Sequence, residues 1–297
     1  MAGTNTNREL HFMTMTLTEA LQQLQTSLAP LYDRRESENI AWLVLEKVTN
    51  GSRMEMVLNR HRPLTEIEIQ TCADYEQELR RQRPVQYVLG EAWFAGMPFY
   101  VDEHVLIPRP ETEELVDWVV KELVHLPGKI SAIDIGTGSG CIAIALKKKL
   151  PRAGIMAIDA SEGALAVAQK NAVALHIDVQ FSTIDFLSPE QRNTLPQVHL
   201  IVSNPPYIPE QEKAAMAQHV VGFEPAQALF VSNDDPLIFY KAISEFATSK
   251  LLPGGWIFVE ISENAGQACV KLFEEKGWKV ELKKDLQERD RMLMAHK

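Results

Sequence analysis

The sequence predicts an α/β fold in which a helical bundle precedes a doubly wound parallel sheet. From Glu111 onward, amphipathic helical segments alternate with short apolar segments of strand length, which is typical of a parallel sheet covered by helices. The last two strand-like segments follow each other without a helix between them, and so predict an antiparallel hairpin at the end of the chain. Between residues 17 and 83, apolar residues instead recur at helical spacing.

The N-terminal region divides into a polar tail and a helical domain. Residues 1–15 lack the apolar core of a signal peptide and are predicted to form a flexible tail. Residues 16–84 are predicted to form a small bundle that is a candidate for partner recognition, and Thr65 with Glu68 fits a capping box. The bundle's three apolar stripes consist of Leu17, Leu21, Leu24 and Leu28, then Ile40, Leu43, Val44 and Val48, then Ile67, Cys72, Tyr75 and Leu79.

A β-hairpin linker is predicted over residues 85–105, after Pro84. Aromatic and β-branched residues surround Gly90 and the Ala95-Gly96 pair, and these are usual hairpin signals. Residues 106–297 then form the predicted catalytic domain. Its predicted helices cover residues 111–125, 141–150, 164–174, 236–251 and 265–276, and its strands cover 130–135, 154–159, 179–184, 198–203, 256–261, 278–283 and 291–296.

A glycine-rich turn joins the first predicted strand of this domain to the following helix. Glycines let the backbone turn tightly and let a ligand approach without a Cβ in the way. Cys141 stands where a dinucleotide fingerprint requires glycine, and no Gly-Lys-Ser/Thr follows as in a P-loop. Glycine at 140 instead gives the Gly-x-Gly-x-Gly pattern of S-adenosylmethionine sites, although a purely structural turn is the alternative. The predicted cofactor-binding residues here are Gly136, Thr137, Gly138, Ser139 and Gly140.

Acidic residues end the next two strands. Asp159 can accept hydrogen bonds from both ribose hydroxyls of a nucleotide, as acidic residues do in other nucleotide-binding sheets. Its alternative role is to cap the helix that follows. Asp185 and Phe186 can meet the amino edge and the face of an adenine, although Asp185 could equally be a surface turn residue.

Residues 204–207, Asn-Pro-Pro-Tyr, follow an apolar run that predicts a buried strand. Two consecutive prolines fix φ and remove two N–H donors, so the Pro205 carbonyl is held rigidly. With Asn204 and Tyr207, this carbonyl suits a planar amino group that reacts at its nitrogen; a proline-rich turn is the alternative. Ligands bind beyond the carboxyl ends of strands in such sheets, so the glycine turn, Asp159 and this tetrapeptide predict one site.

The bulk composition is that of an ordinary soluble protein with an acidic balance. The formal net charge of −10 disfavours non-specific attraction to nucleic acid or anionic membranes. The three cysteines are isolated and show neither a disulfide framework nor metal-ligand spacing. No apolar stretch approaches the roughly 18 residues that a membrane helix needs. We therefore expect a cytoplasmic monomer with no metal site and no binding to nucleic acid or membrane.

The chain resembles a known family, the protein-(glutamine-N5) methyltransferases that modify peptide chain release factors. The resemblance covers roughly residues 16–297, and Asn-Pro-Pro-Tyr alone is shared with amino-directed methyltransferases that act on adenine. The segment Ile-Pro-Arg-Pro-Glu-Thr-Glu at 107–113 is more specific, and residues 230–236 depart from a glycine-rich stretch usual in the family. The remaining motifs are Pro-Val-Gln-Tyr-Val-Leu-Gly at 84–90, residues 134–140, Glu224-Pro225, and Asp285 with Asp290-Arg291.

The resemblance implies a seven-stranded, Rossmann-like class I methyltransferase sheet that uses S-adenosyl-L-methionine and releases S-adenosyl-L-homocysteine. The implied substrate is the glutamine of a Gly-Gly-Gln loop in a release factor, so the implied role is protein methylation in translation termination. The helical N-terminal domain is expected to help bind that protein. A ribosomal-protein glutamine methyltransferase and an adenine-N6 nucleic-acid methyltransferase are the alternatives.

An amide nitrogen is a poor nucleophile, because its lone pair is delocalised into the carbonyl. We expect Asn204 Oδ1 and the Pro205 carbonyl to accept its two N–H groups, with Asn204 also bordering the cofactor. Tyr207 is expected to pack on the amide plane, and Pro206 to shape the substrate site without direct chemistry. His199 lies inside the predicted strand and is expected to be a packed residue rather than a general base.

Overall fold

The computed structural model describes residues 15–125, 128–216 and 218–297. The tail predicted over residues 1–15 lies outside the described residues, apart from Met15. The chain divides into two compact units, one that ends at Leu89 and one that begins at Gly90.

The first unit is a helical bundle, as predicted. Thr16, Ser52 and Thr65 each open a helix with a reciprocal capping box, so the predicted box at Thr65 and Glu68 is confirmed. The helices are α1 (Leu17–Leu28), α2 (Arg34–Thr49), α3 (Arg53–Leu58), α4 (Glu66–Arg80) and α5 (Val85–Leu89).

Two residues of the predicted stripes lie outside the bundle core. Ile67 is 79% exposed and Leu43 is 41% exposed, so their assignment to the core is wrong. Ile67 lies roughly 140° around the helix from Cys72, which α4 buries. Leu43 is likewise turned away from the buried face of α2, on which Ala41 and Val44 lie.

The predicted hairpin is present but shorter than residues 85–105. Strands β1 (Ala92–Phe94) and β2 (Met97–Phe99) pair antiparallel around a turn in which Ala95 and Gly96 both have positive φ. Val85–Leu89 is instead helix α5, and its apolar side chains pack on the core of the first unit. The start predicted for the linker is therefore wrong, because Pro84 precedes a helical turn instead of ending the bundle.

The second unit is built on a seven-stranded sheet in the order β10-β11-β9-β6-β3-β4-β5. Strands β10 and β11 form an antiparallel hairpin at one edge, and the other strands run parallel, as predicted. The strands are β3 (Ser131–Ile135), β4 (Gly154–Asp159), β5 (Gln180–Thr183), β6 (Val198–Ser203), β9 (Leu251–Glu260), β10 (Lys279–Lys284) and β11 (Asp290–His296).

Helices cover both faces of this sheet, which gives the unit two cores. Within β3, Ala132 packs in one core with α6 and α7, and Ile133 packs in the other with α12 and α13, because successive side chains alternate between faces. The helices of this unit are α6 (Pro110–Leu123), α7 (Cys141–Lys149), α8 (Glu162–Ala174), α9 (Pro189–Asn193), α10 (Gln218–Phe223), α11 (Ala226–Leu229), α12 (Ile238–Lys250) and α13 (Gly266–Glu275).

A long excursion separates β6 from α12, and the sequence patterns did not predict its elements. Two short strands, β7 (Ile208–Pro209) and β8 (Phe230–Val231), pair in parallel at its base. A 3₁₀ helix over Glu210–Ala215 and helices α10 and α11 lie between them. The excursion therefore leaves and returns at one point, beside the carboxyl end of β6.

No helix in the described part of the chain is long and apolar enough to cross a membrane.

Candidate active site

A cavity of about 230 Å³ lies at the carboxyl edge of the parallel strands. Chain order reverses between β3 and β6, with β4 and β5 on one side and β9 on the other, and such a switch point opens a crevice for ligands. The predicted residues that border the cavity are Gly136, Thr137, Gly138, Ser139, Asp159, Asp185, Phe186, Asn204, Pro205 and Pro206.

The glycine turn after β3 is folded as a tight loop that faces the cavity. Gly136, Gly138 and Gly140 have φ values of +71°, +54° and +81°, which other residues rarely adopt. The loop is held to β4 because the N–H groups of Gly136 and Thr137 both donate to the Ile158 carbonyl, each at 2.9 Å. A Cβ on Gly136 or Gly138 would meet no atom of the described residues within 4 Å, so the cavity approaches the bare backbone there.

Asp134 is fully buried beneath this loop. Its Oδ2 accepts from the Thr137 hydroxyl at 2.6 Å, and its Oδ1 makes no hydrogen bond within the described residues. Burial raises the pKa of Asp134 to about 7, and the Thr137 hydrogen bond opposes this rise.

Asp159 ties the end of β4 to the glycine loop. Its Oδ2 accepts from the Gly138 N–H and its Oδ1 from the Ser161 N–H, both at 2.9 Å. Burial raises the pKa of Asp159, while the backbone N–H groups favour its ionised form. The helix α8 is capped by the Ser161 side chain, which accepts from Ala164 N–H, so capping is not the main role of the Asp159 carboxylate.

The two residues predicted at the end of β5 differ in burial. Asp185 is exposed, and its carboxylate accepts from the Leu187 N–H at 3.0 Å, which closes a turn. Phe186 is buried, and its ring meets the Phe246 ring edge-on at 5.4 Å. Both residues border the cavity, but the Phe186 ring is also part of the core beneath it.

Two chain segments cover the cavity and are joined by an ion pair. Arg109, just before α6, donates to Glu224 of the excursion at 2.6 Å, and the second oxygen of Glu224 accepts from the Ile107 N–H at 3.3 Å. The Glu224 carboxylate is almost fully buried. Arg109 itself and Gln227 of the excursion both border the cavity.

The Asn-Pro-Pro-Tyr segment begins where β6 ends, against the same cavity. The Asn204 amide donates from Nδ2 to the Thr112 hydroxyl at 3.1 Å, and Asn204 Oδ1 has no hydrogen-bond partner among the described residues. Pro205 and Pro206 border the cavity beside it. The segment is held from below because Ser203 Oγ donates to the Ile135 carbonyl at 2.7 Å.

Tyr207 is not among the residues that border the cavity. Its hydroxyl lies 3.4 Å from Glu260 Oε1, and burial raises the pKa of this phenol well above its usual range. Its ring packs against the core that contains α12. Tyr207 therefore anchors the proline segment to the protein interior in this structure.

Three buried polar residues at the site were not identified from the sequence. Thr112 and Glu260 lie beneath Asn204, with the Thr112 hydroxyl 2.6 Å from Glu260 Oε2. Asn171 of α8 donates to the carbonyls of Tyr100 and Ser139 and accepts from the Tyr100 N–H, so it joins the glycine loop to the segment after the hairpin. A carboxylate inside the apolar run at 256–261 was the available signal for Glu260, and Thr112 lies within the family segment at 107–113. Nothing local marks Asn171.

His199 lies at the amino end of the parallel strands, opposite the end that carries the cavity. It stands near the start of β6, and its Nδ1 accepts from the Ser131 N–H at 3.1 Å. This position agrees with the prediction that His199 is a packed residue rather than a general base.

Comparisons with known proteins match both units. Residues 19–90 match the model of the PrmC N-terminal domain, and residues 116–232 match that of the methyltransferase small domain. A release factor glutamine methyltransferase of Flavobacterium psychrophilum is 42% identical over 277 residues, which cover 92% of this chain and 96% of that protein. One from Bacteroides thetaiotaomicron is 38% identical over 280 residues, covering 92% and 98%.

Solved structures share the fold. The hMettl16 catalytic domain, solved in complex with MAT2A 3′UTR hairpin 6, has a TM-score of 0.55 and covers 79% of this chain and 84% of its own. Its sequence identity of 17% makes this a likeness of fold alone.

Proposed function

Because this chain belongs to the family of release factor glutamine methyltransferases, we propose that it transfers a methyl group from S-adenosyl-L-methionine to the side-chain amide nitrogen of the glutamine in a release factor's Gly-Gly-Gln motif. The observation that carries this proposal is the placement of Asn204 and Pro205 on the same cavity as the glycine loop. An acceptor for a planar amide and a binding loop for the methyl donor then form one site. The expected products are the N-methylated glutamine, S-adenosyl-L-homocysteine and the one proton that the amide nitrogen gives up.

The chain's own residues fit this cofactor. Gly136 and Gly138 present bare backbone to the cavity, with no side chain in the way of a ligand. Asp159 supplies a carboxylate at the position predicted for the ribose hydroxyls. The cofactor supplies an electrophilic methyl group on a sulfonium sulfur.

The substrate glutamine would be held by Asn204 and Pro205. Asn204 Oδ1 and the Pro205 carbonyl accept its two N–H groups, which fixes the nitrogen in direction and stabilises the positive charge that develops on it. The two prolines keep these acceptors rigid and remove competing N–H donors. Tyr207 supports this segment through its contact with Glu260, and its packing on the amide plane remains a proposal.

The helical unit is proposed to bind the release factor, and the protein is proposed to act as a cytoplasmic monomer without direct nucleic-acid binding. The net charge of −10 supports the last point, because it opposes contact with a phosphate backbone.

Labelled methyl transfer to a purified release factor tests the proposed substrate. We expect incorporation into the wild-type release factor and background incorporation when the Gly-Gly-Gln glutamine is replaced by alanine. Persistent labelling of the replaced protein would contradict the proposed target residue. Labelling of ribosomal protein or of adenine in DNA, with none in the release factor, would support an alternative function instead.

Replacement of Asp159 by alanine is expected to weaken cofactor binding by about 10- to 100-fold, because hydrogen bonds to a charged group contribute roughly 1.5–3 kcal/mol. Calorimetric titration of the purified protein with S-adenosyl-L-methionine measures this change. The matched control is Asp185→Ala, which removes an exposed carboxylate on the same cavity and is expected to have a smaller effect. Equal affinities of wild type and Asp159→Ala would remove the ribose role.

A further inference from the structure

A chain of hydrogen bonds runs from the acceptor Asn204 into the protein core. Asn204 Nδ2 donates to Thr112 Oγ1 at 3.1 Å, and the Thr112 hydroxyl donates to Glu260 Oε2 at 2.6 Å. These residues come from the end of β6, the first turn of α6 and the end of β9. Thr112 and Glu260 are 1% and 2% exposed, so water does not compete for the contact between them.

The donor and acceptor roles in these hydrogen bonds follow from the chemistry of Glu260. An ionised carboxylate can only accept, so the single hydroxyl hydrogen of Thr112 must point to Glu260. The Thr112 oxygen then presents a lone pair to Asn204, and only the amino side of the Asn204 amide can satisfy it. Asn204 Oδ1 is thereby turned away from Thr112 and is left without a partner among the described residues.

A protonated Glu260 would reverse this direction. With a proton on Oε2, the carboxylic acid can donate to Thr112 Oγ1, and the Thr112 hydroxyl hydrogen then turns toward Asn204. Asn204 would meet that hydrogen best with Oδ1, which would present its amino side to the substrate. Two N–H donors would then face each other, and the substrate amide would lose an acceptor.

We propose that ionised Glu260, acting through Thr112, is the positioning residue that holds the Asn204 amide with Oδ1 available to the substrate, and that protonation of Glu260 releases this orientation and slows methyl transfer. The proposal rests on the proposed function, in which Asn204 accepts from the substrate amide.

The environment of Glu260 brings its ionisation into the working pH range. Burial raises the pKa of Glu260 to about 7, while the Thr112 hydrogen bond and the positive charge of Arg291 oppose this rise. Because ionised Glu260 keeps Asn204 Oδ1 available to the substrate, the fraction of enzyme in this productive orientation should fall as the pH drops below this value. The charged and titratable groups that face Glu260 or its hydrogen bonds are Arg291 on β11, Glu111 on α6, Tyr207 after β6, Tyr240 on α12 and Cys141 on α7.

The Thr112 link is tested by two substitutions of similar size. Thr112→Val removes the hydroxyl and keeps the shape, and we expect kcat to fall about 100-fold, since small misplacements of a reacting group have effects of this order. Thr112→Ser keeps the hydroxyl and should restore kcat to within a few-fold of wild type. The affinity for S-adenosyl-L-methionine should change little in both variants. A Thr112→Val enzyme with kcat within about twofold of wild type would overturn the proposal.

The role of Glu260 is tested by the pH profile of Glu260→Gln. Glutamine can accept the Thr112 hydroxyl through its carbonyl oxygen but does not ionise. With a pKa of about 7, the wild-type kcat should fall about tenfold from pH 8 to pH 6, whereas Glu260→Gln should vary by less than about twofold. An unchanged acidic limb in Glu260→Gln, or no limb in wild type, would contradict the proposal. A merely structural role would lower thermal stability without removing the limb.

A measurement on the unliganded wild-type protein separates this proposal from the proposed function. The side-chain amide resonances of Asn204 in ¹⁵N-labelled protein, assigned by their loss in Asn204→Ala, should shift with pH with a midpoint near 7. In Thr112→Val the shift should disappear. Resonances that do not respond to pH in wild type would overturn the proposed link. If they respond but no release factor is methylated, the link stands and the proposed function fails.

Discussion

Replacement of Asn204 by alanine is expected to abolish methyl transfer while cofactor binding persists. The change removes the side-chain acceptor that the cavity presents beside the Pro205 carbonyl. Loss of one such preorganised group lowers kcat by roughly 100- to 1000-fold in other enzymes, and here the same group also sets the direction of the substrate amide. We therefore expect a loss of at least about 1000-fold in kcat, measured as labelled methyl transfer to release factor.

The control for this variant lies in the same segment. Pro206→Ala keeps both acceptors, although it removes one ring that stiffens the backbone and restores one N–H donor, so its kcat should fall by less than about tenfold. Calorimetric titration should give Asn204→Ala an affinity for S-adenosyl-L-methionine within a few-fold of wild type, because the glycine loop and Asp159 are unchanged. Turnover by Asn204→Ala within about tenfold of wild type would exclude the proposed acceptor role.

The second large effect is expected in the glycine loop, where alanine at two nearby glycines should have different consequences. Gly140→Ala should lower stability, and Gly138→Ala should weaken cofactor binding. At Gly140, a Cβ would lie 3.1 Å from both Ala168 Cβ and Ile144 Cδ1, and φ is +81°. Gly140→Ala therefore combines strain with overpacking, and a loss of about 2–4 kcal/mol in the free energy of unfolding is expected. At about 2–4 °C per kcal/mol, the thermal midpoint without ligand should fall by roughly 4–16 °C.

At Gly138 the expected loss is one of binding. A Cβ at this position would meet no described atom within 4 Å, so the cost to stability is mainly the strain of φ +54°, about 1–2 kcal/mol. The added methyl group would also occupy space on the side of the loop that faces the cavity. We expect Gly138→Ala to lose mainly affinity for the cofactor, and to lower the thermal midpoint less than Gly140→Ala does. Gly154→Ala is the control, since its φ is not positive and its Cβ would also meet no described atom within 4 Å. Equal midpoints for Gly138→Ala and Gly140→Ala would contradict this division.

The family and the fold predicted from motifs and periodicity are confirmed. The strands β4 and β6 have the predicted bounds, and the other strands of the large sheet agree within a few residues except that β9 begins earlier. This success has a local cause. Alternation of apolar segments with helices, glycine at positive φ and proline after a strand are each set by residues that are neighbours in the chain.

The less successful predictions concern which faces of the helices are buried and how strand β6 is connected to helix α12. Ile67 and Leu43 are apolar at helical spacing yet exposed, since spacing alone does not say which of two overlapping stripes meets the core. The excursion between β6 and α12 consists of short elements, and no periodicity can accumulate over so few residues.

The sequence by itself determined the α/β sheet, the glycine loop, Asp159 and the Asn-Pro-Pro-Tyr segment at the strand ends, because each depends on local backbone chemistry. Only the tertiary structure decided which partners the buried Thr112, Glu260 and Glu224 meet: Thr112 with Glu260, Asn204 with Thr112, and Arg109 with Glu224. Each pair joins elements that are distant in the chain, and the order of strands in the sheet brings them together. The free energy of leaving a buried polar group unpaired then selects the partner, and no local pattern encodes that selection.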